Sequence, residues 1–223
     1  MPNNMSFAEA AAVPLGGLNA LHFMRRAKLR AGEHVLINGA GGSIGAHAVQ
    51  IAKSMGAEVT AVDSAHKEDL VRRIGADHFV DYTKQDFAGS EQTYDVIFDM
   101  VPGSSYTACL KALVPNGRYL SGNPRLSVML RSPLPTWFTS KTATCAFAGE
   151  TTEDLLALKE MIEAGKIGSI VDRVFPVERA ANAHRLVETE QRLGAIVIAI
   201  GADADGRRRD EGDNGINARL ASG

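Results

Sequence analysis

Cysteine is scarce in this chain: Cys109 and Cys145 are the only two in 223 residues. They are too few for a disulfide framework and too far apart to act as a zinc-ligand pair. Strong net charge is missing as well, at −2, which removes the electrostatic reason to expect nucleic acid or an anionic membrane as partner. No apolar run reaches the roughly 18 residues of a membrane span, and the amino terminus lacks a charged stretch followed by an apolar one. The six histidines are scattered with no i,i+4 pair, so each reads as an ordinary packed or surface residue and no metal site is expected. There is no internal repeat. A hydrophobic content of 45% supports one substantial core. These absences leave a cytoplasmic protein without a membrane or nucleic-acid partner as the plain expectation.

What is present is concentrated in one run. Val35-Leu36-Ile37-Asn38 empties into Gly39-Ala40-Gly41-Gly42-Ser43-Ile44-Gly45, and an amphipathic pattern follows through Lys53. A second apolar run, Val59-Thr60-Ala61-Val62, ends at Asp63, eighteen residues past Gly45. A strand, a glycine cluster, a helix and a trailing acid are what a dinucleotide requires of its first β-α-β unit. In that reading Gly39 makes the turn out of the strand, Gly42 lets the backbone approach a pyrophosphate, and Gly45 packs the helix closely on the strand. The helix dipole then favours the anion. Asp63, at the tip of the second strand, is expected to accept hydrogen bonds from an adenosine ribose. Strictly the motif is Ala40-x-Gly42-x-x-Gly45, so a ligand-free glycine turn and an adenosyl-group methyltransferase stay open on these residues alone.

Elsewhere the chain alternates apolar runs with helical patterns. Ser6-Phe7-Ala8-Glu9 forms a capping box opening an alanine-rich helix; Pro14 is expected to interrupt it, with a second helical stretch from about Leu15 toward Arg30. Strands are expected at 34–38, 58–63, 78–81, 94–99, 118–121 and 142–147, with helices at 44–55, 66–74, 104–113 and 152–164. Continuous apolar strands alternating with helices predict an α/β fold: a six-stranded, doubly wound parallel sheet with helices on both faces, the Rossmann arrangement. Residues 1–200 are read as one domain, ending in a return segment with strands at 170–175 and 195–200 around a helix at 178–189. Residues 201–223 lack an apolar period and read as a disordered tail. The segment 122–141, with Trp137 and Phe138 among three prolines, breaks the alternation and reads either as a self-packed connection or as a wall or subunit contact.

The residues Ala10-Ala11-Ala12-Val13-Pro14-Leu15, Gly17 to Leu21, Val35 to Lys53, Leu70 to Tyr82, Tyr94 to Asp99 and Ile162 to Lys166 resemble the medium-chain dehydrogenase/reductase superfamily. The likeness is to its zinc-independent, quinone-oxidoreductase-like branch. It covers nearly all of residues 5–200. It implies an enzyme passing hydride from NAD(P)H to a small-molecule electrophile: a quinone, an enone or a carbonyl compound. It also implies an N-terminal GroES-like barrel that this sequence does not contain, and a homodimer formed through the sixth-strand edge. Further cofactor contacts follow from the resemblance: Asn19 where the family carries threonine near the nicotinamide, Ser64 and Lys67 with Tyr82 at the adenosine end, Met100 and Val101 after the fourth strand, and Ser121, Gly122 and Asn123 after the fifth. Leu15 stands near the position where zinc-dependent relatives place a cysteine.

The expected function is therefore a zinc-independent NAD(P)H oxidoreductase represented by its cofactor domain, with NAD(H) modestly favoured through Asp63. The alternatives are a dinucleotide-binding module without independent catalysis, or the methyltransferase. No catalytic residue is assigned. None of Tyr82, Tyr94, Tyr106 or Tyr119 is followed four residues on by lysine, which sets aside the tyrosine–lysine chemistry of short-chain dehydrogenases.

Overall fold

The computed structural model describes residues 1–89, 92–123, 129, 139–146, 149 and 151–200. Trp137, Phe138, most of the 122–141 segment and the tail 201–223 lie outside the described residues.

The chain opens with α1 (Phe7–Arg26), whose N-terminus carries the full capping box between Ser6 and Glu9. Pro14 does not interrupt it. An interior proline costs a helix roughly 3 kcal/mol, yet Pro14 is exposed while Val13, Leu18, Leu21, Phe23 and Met24 of the same helix are buried. Burial at about 1.5–3 kcal/mol per large side chain outweighs the lost bond. The helix also ends earlier than expected. Lys28 turns to φ +51, Lys28 N–H donates to Arg25 O at 2.9 Å, and Leu29 N–H donates to Met24 O at 3.4 Å. This is a Schellman stop.

The main sheet follows: β1 (His34–Asn38), α2 (Ser43–Ser54), β2 (Glu58–Asp63), α3 (Glu68–Arg73), β3 (His78–Asp81), β4 (Tyr94–Asp99), α4 (Tyr106–Lys111), β5 (Leu113–Ser121) and β6 (Thr142–Cys145). Its order is β3-β2-β1-β4-β5-β6, and every pairing is parallel. This is the six-stranded doubly wound sheet expected from the alternation. β5 begins five residues earlier than the sequence suggested. The expected helix at 66–74 divides into a 3-10 turn at Ala65–Lys67 and the short α3. The end expected of the sixth strand, Phe147, lies outside the described residues.

Alternation along the strands divides the core in two. Val35, Ile37, Val59, Ala61, Val96 and Phe98 face a cluster completed by α1, α2 and α3. Leu36, Val62 and Ile97 face the opposite side, against Tyr106 and Cys109 of α4. Both faces are covered, as an all-parallel sheet requires. After β6 come α5 (Thr152–Glu163), β7 (Val171–Pro176), α6 (Ala180–Glu188) and β8 (Ala195–Ala199). β7 and β8 pair in parallel as a separate two-stranded sheet.

α1 and α2 meet where Gly16 leaves room for His47: a Cβ at Gly16 would stand 2.7 Å from His47 Nδ1. His47 is buried, its Nδ1 lies 2.7 Å from Ser43 O, and its Nε2 has no hydrogen-bond partner. Burial lowers its pKa below the ordinary value near 6.5, opposed in part by the Ser43 contact. A histidine with a depressed folded pKa contributes full stability above its unfolded value. That stability is lost as pH falls below it, by up to about 1.4 kcal/mol per pH unit while only the unfolded chain takes up the proton. Urea unfolding between about pH 7.5 and pH 5 should therefore show falling stability, with a shallower fall in His47→Gln. Equal slopes would show that His47 does not couple folding to pH.

Candidate functional site

β1 is flanked by β2 on one side and β4 on the other, so the connections leaving β1 and β4 diverge and open a crevice at the carboxyl ends of the strands. The turn after β1 begins at Gly39, with φ +86. α2 then starts at Ser43, and no side chain caps its N-terminus. Its position depends on Gly45, where a Cβ would lie 2.2 Å from Gly39 O and 2.7 Å from Ala40 Cα. A Cβ on Gly42, by contrast, would meet only Gly39 O, at 3.5 Å. The helix start therefore presents uncapped N–H groups and an unobstructed backbone, which suits an anionic group.

A cavity of about 750 Å³ occupies this crevice. Of the residues expected from sequence, Gly39, Gly42, Ser43, Ile44 and Gly45 line it at the helix start. Asp63, Lys67 and Tyr82 line it beyond β2 and β3, and Met100, Val101 and Asn123 beyond β4 and β5. Five others do not reach the wall. Ala40 is fully buried. Asn19 donates from Nδ2 to Leu15 O of its own helix at 2.9 Å, and Leu15 lines the cavity instead. Ser64 turns its hydroxyl toward His66 Nδ1 at 3.0 Å. Ser121 is buried at the end of β5, and Gly122 donates its N–H to Asp99 O at 3.3 Å.

Asp63 is less free than its sequence position suggested. Its Oδ2 accepts from Gly41 N–H at 2.8 Å, its Oδ1 accepts from Ser64 N–H at 2.9 Å, and Lys67 Nζ stands 3.1 Å from the same Oδ1. Both side chains of this ion pair are at least nine-tenths buried. Lys67 lies across Gly41, where a Cβ would come within 2.4 Å of its Cδ. The carboxylate thus holds the glycine turn to the end of β2, and its charge is met on the spot.

Several other wall residues were not expected from sequence. Beyond the expected Met100 and Val101, the next four residues, Pro102 to Ser105, also line the cavity, together with Asn38, Asp86 and Phe87. Glu190 and Arg192 reach it from the loop between α6 and β8. That loop is docked by Gly194 N–H donating to Gly41 O at 2.9 Å, while His66 Nε2 lies 3.2 Å from Gln191 O. No motif marks these residues; they arrive through contacts far apart in sequence. Cys109, behind the wall, is no nucleophile: burial, with Asp99 and Asp86 nearby, pushes its thiol up to about 12.

Among the described residues no group of three or more His, Cys, Asp or Glu side chains is placed to hold a metal ion. The described residues thus offer no donor set that fits zinc. Among the same residues, no helix is long and apolar enough to cross a membrane.

The zinc-binding dehydrogenase family matches residues 74–198, more than half of the sequence. A chloroplastic NADPH-dependent alkenal/one oxidoreductase of Arabidopsis thaliana is 32% identical over 203 residues, which span 88% of this chain and 48% of that protein. A 2-methylene-furan-3-one reductase of Solanum lycopersicum is 29% identical, over 88% of this chain and 48% of that protein. Among solved structures, the quinone oxidoreductase from Coxiella burnetii superposes with a TM-score of 0.80 at 26% identity, over 88% of this chain and 62% of that one. The chain belongs to the zinc-binding dehydrogenase family of the medium-chain dehydrogenase/reductase superfamily. It spans about half the length of the two plant reductases.

Gly45→Ala tests whether the contact between α2 and the turn builds the cavity. Its methyl group would meet backbone atoms, which cannot swing aside, so destabilisation of about 1–3 kcal/mol is expected, with loss of dinucleotide binding measured by fluorescence. Unchanged unfolding and binding would contradict the packing role.

Proposed function

We propose that this chain is the cofactor-binding part of a zinc-independent NAD(P)H oxidoreductase acting on a small-molecule electrophile: a quinone, an enone or a carbonyl compound. The observation carrying this reading is the cavity at the strand ends, with the uncapped start of α2 in its wall. The names of the relatives point to the same chemistry. In this reading the Gly39–Gly45 turn receives the pyrophosphate, with the dipole of α2 favouring its charge. Asp63, Lys67 and Tyr82 serve the adenosine end. Met100, Val101 and Asn123, beyond β4 and β5, serve the nicotinamide end. When bound, the dinucleotide supplies the hydride; the chain orients it and shields one face. A methyltransferase is disfavoured by the family match.

NAD(H) should be favoured modestly over NADP(H). Asp63 repels a ribose 2′-phosphate by roughly 4 kcal/mol at about 4 Å and an effective dielectric near 20. Lys67 and Arg192 offset part of that. Fluorescence titration with both reduced cofactors decides it, and tighter NADPH binding would mean that the two cations govern the choice.

A second reading is a dinucleotide-binding module without independent catalysis: tested by themselves, these residues build the cofactor side of a cleft. Hydride transfer needs donor and acceptor carbons aligned about 3–3.5 Å apart, a contribution of roughly 7–11 kcal/mol. With one wall of the cleft, an acceptor stays unoriented. Losing half of that contribution slows turnover about a thousandfold. NAD(P)H oxidation with a quinone and an enone should therefore be slow for this chain alone, although the dinucleotide binds. Fast turnover, abolished by Gly42→Asp, would favour the complete enzyme; absent binding would remove both readings.

We also propose a cytoplasmic homodimer joined through β6, the edge strand of the sheet. An open edge invites strand addition. Light scattering at micromolar concentration should give twice the chain mass, and a monomer would remove this proposal.

A further inference from the structure

The ends of β1, β4 and β5 meet in one buried polar cluster. Asn38, Asp99 and Ser121 are register partners across the three strands, and Asp99 is only 2% exposed. Its carboxylate is surrounded by donors. Oδ1 accepts from Asn38 Nδ2 at 2.9 Å and from Val101 N–H at 3.1 Å. Oδ2 accepts from the Tyr119 hydroxyl at 2.8 Å and from the Ser104 hydroxyl. Burial, reinforced by Asp99 itself, pushes the Tyr119 phenol well above its ordinary value, so it remains a donor at any ordinary pH.

Two of these donors belong to the wall loop, one to β1 and one to β5. Met100 N–H also donates to Asn38 O at 3.1 Å, a further tie to β1, and within the loop Ser104 N–H donates to Val101 O at 3.2 Å. Every residue from Met100 to Ser105 lines the cavity, while Asp99 and Tyr119 stand behind it. The loop contains Pro102 and Gly103, which offer no side-chain hydrogen bonds. Its shape therefore depends on what grips its two ends.

We propose that Asp99 is a positioning residue of the ligand cavity, its one carboxylate fixing the Met100–Ser105 wall to the ends of β1 and β5. The assignment deepens the dinucleotide reading and rests on it for the identity of the ligand. A buried carboxylate is tolerated because charge-assisted bonds satisfy both oxygens. An apolar side chain there removes the shared acceptor of four donors, of which the Ser104 hydroxyl alone keeps another, Val101 O at 3.2 Å, and the loop is then free to leave its place. Asparagine keeps the arrangement: its amide oxygen can replace Oδ1, and its NH2 group can donate to the two hydroxyls, which also accept.

The test compares Asp99→Leu, Asp99→Asn and Tyr119→Phe with the wild type by NADH titration and by amide hydrogen exchange of residues 100–105 without ligand. NADH affinity should fall at least about thirtyfold in Asp99→Leu and about fivefold in Tyr119→Phe, and stay within about threefold in Asp99→Asn, with fold content unchanged by circular dichroism. Exchange should quicken in the first two and not in the third. That rescue by the conservative variant separates positioning from bulk stability. Should Asp99→Leu fail to fold, Tyr119→Phe against Asp99→Asn carries the decision, since both keep the core filled. Wild-type affinity and exchange in Tyr119→Phe, or a loss in Asp99→Asn as large as in Asp99→Leu, would overturn the assignment. A wild-type chain that binds no dinucleotide would overturn the functional reading, while the exchange pattern would still report on the role of Asp99.

Discussion

The cavity depends on one close contact, that between Gly45 of α2 and the backbone of Gly39 and Ala40. It sets how near the helix comes to β1, and so where the start of the helix faces. The same turn is gripped from two further sides: Asp63 accepts the Gly41 N–H, and Gly194 donates to the Gly41 carbonyl. A four-residue turn is thus fixed by its own helix, by the tip of β2 and by the carboxyl-terminal unit. Such over-determination suits a surface on which a ligand's charged group must meet backbone N–H groups at hydrogen-bond distance.

The charges around the opening follow a consistent pattern. Each cation near the mouth already has a partner: Lys67 is paired with Asp63, and Arg192 Nη1 lies 3.2 Å from Glu190 Oε2. The Asp63–Lys67 pair is buried and draws on backbone donors as well, so removing either partner leaves a buried charge without its counter-ion. The Arg192–Glu190 pair is nearer the surface, with the Glu190 side chain 78% exposed, and contributes little to stability. The inner pair shapes the turn; in the outer one Arg192 is held as well by Val187 O at 2.9 Å, and only Glu190 stands in solvent.

Much of this architecture was legible because it is local. The strand-glycine-helix run, the acid at Asp63 and the apolar β strands are each encoded within a dozen residues, and the six-stranded sheet follows from their alternation. Pro14 misled because its effect on a helix is local, whereas the burial that keeps α1 continuous is tertiary. Asn19 shows the same limit: its position near the cavity follows from the family pattern, but the bond to Leu15 O is a choice made by the folded helix. Asp99, Tyr119 and Ser104 were invisible as a group because only the parallel register of β4 with β1 and β5 brings them together. Glu190 and Arg192 arrive through pairing between residues more than a hundred positions apart.

The central claim is that the start of α2 and the wall loop after β4 face one bound dinucleotide. Amide chemical-shift mapping of the labelled chain during titration with NADH tests it most directly. The account predicts saturable shifts at Gly42–Gly45, Asp63–Lys67 and Met100–Ser105, with β7 and the outer turns of α5 unaffected. Shifts confined to β7 and β8, or none at millimolar NADH and NADPH, would contradict it.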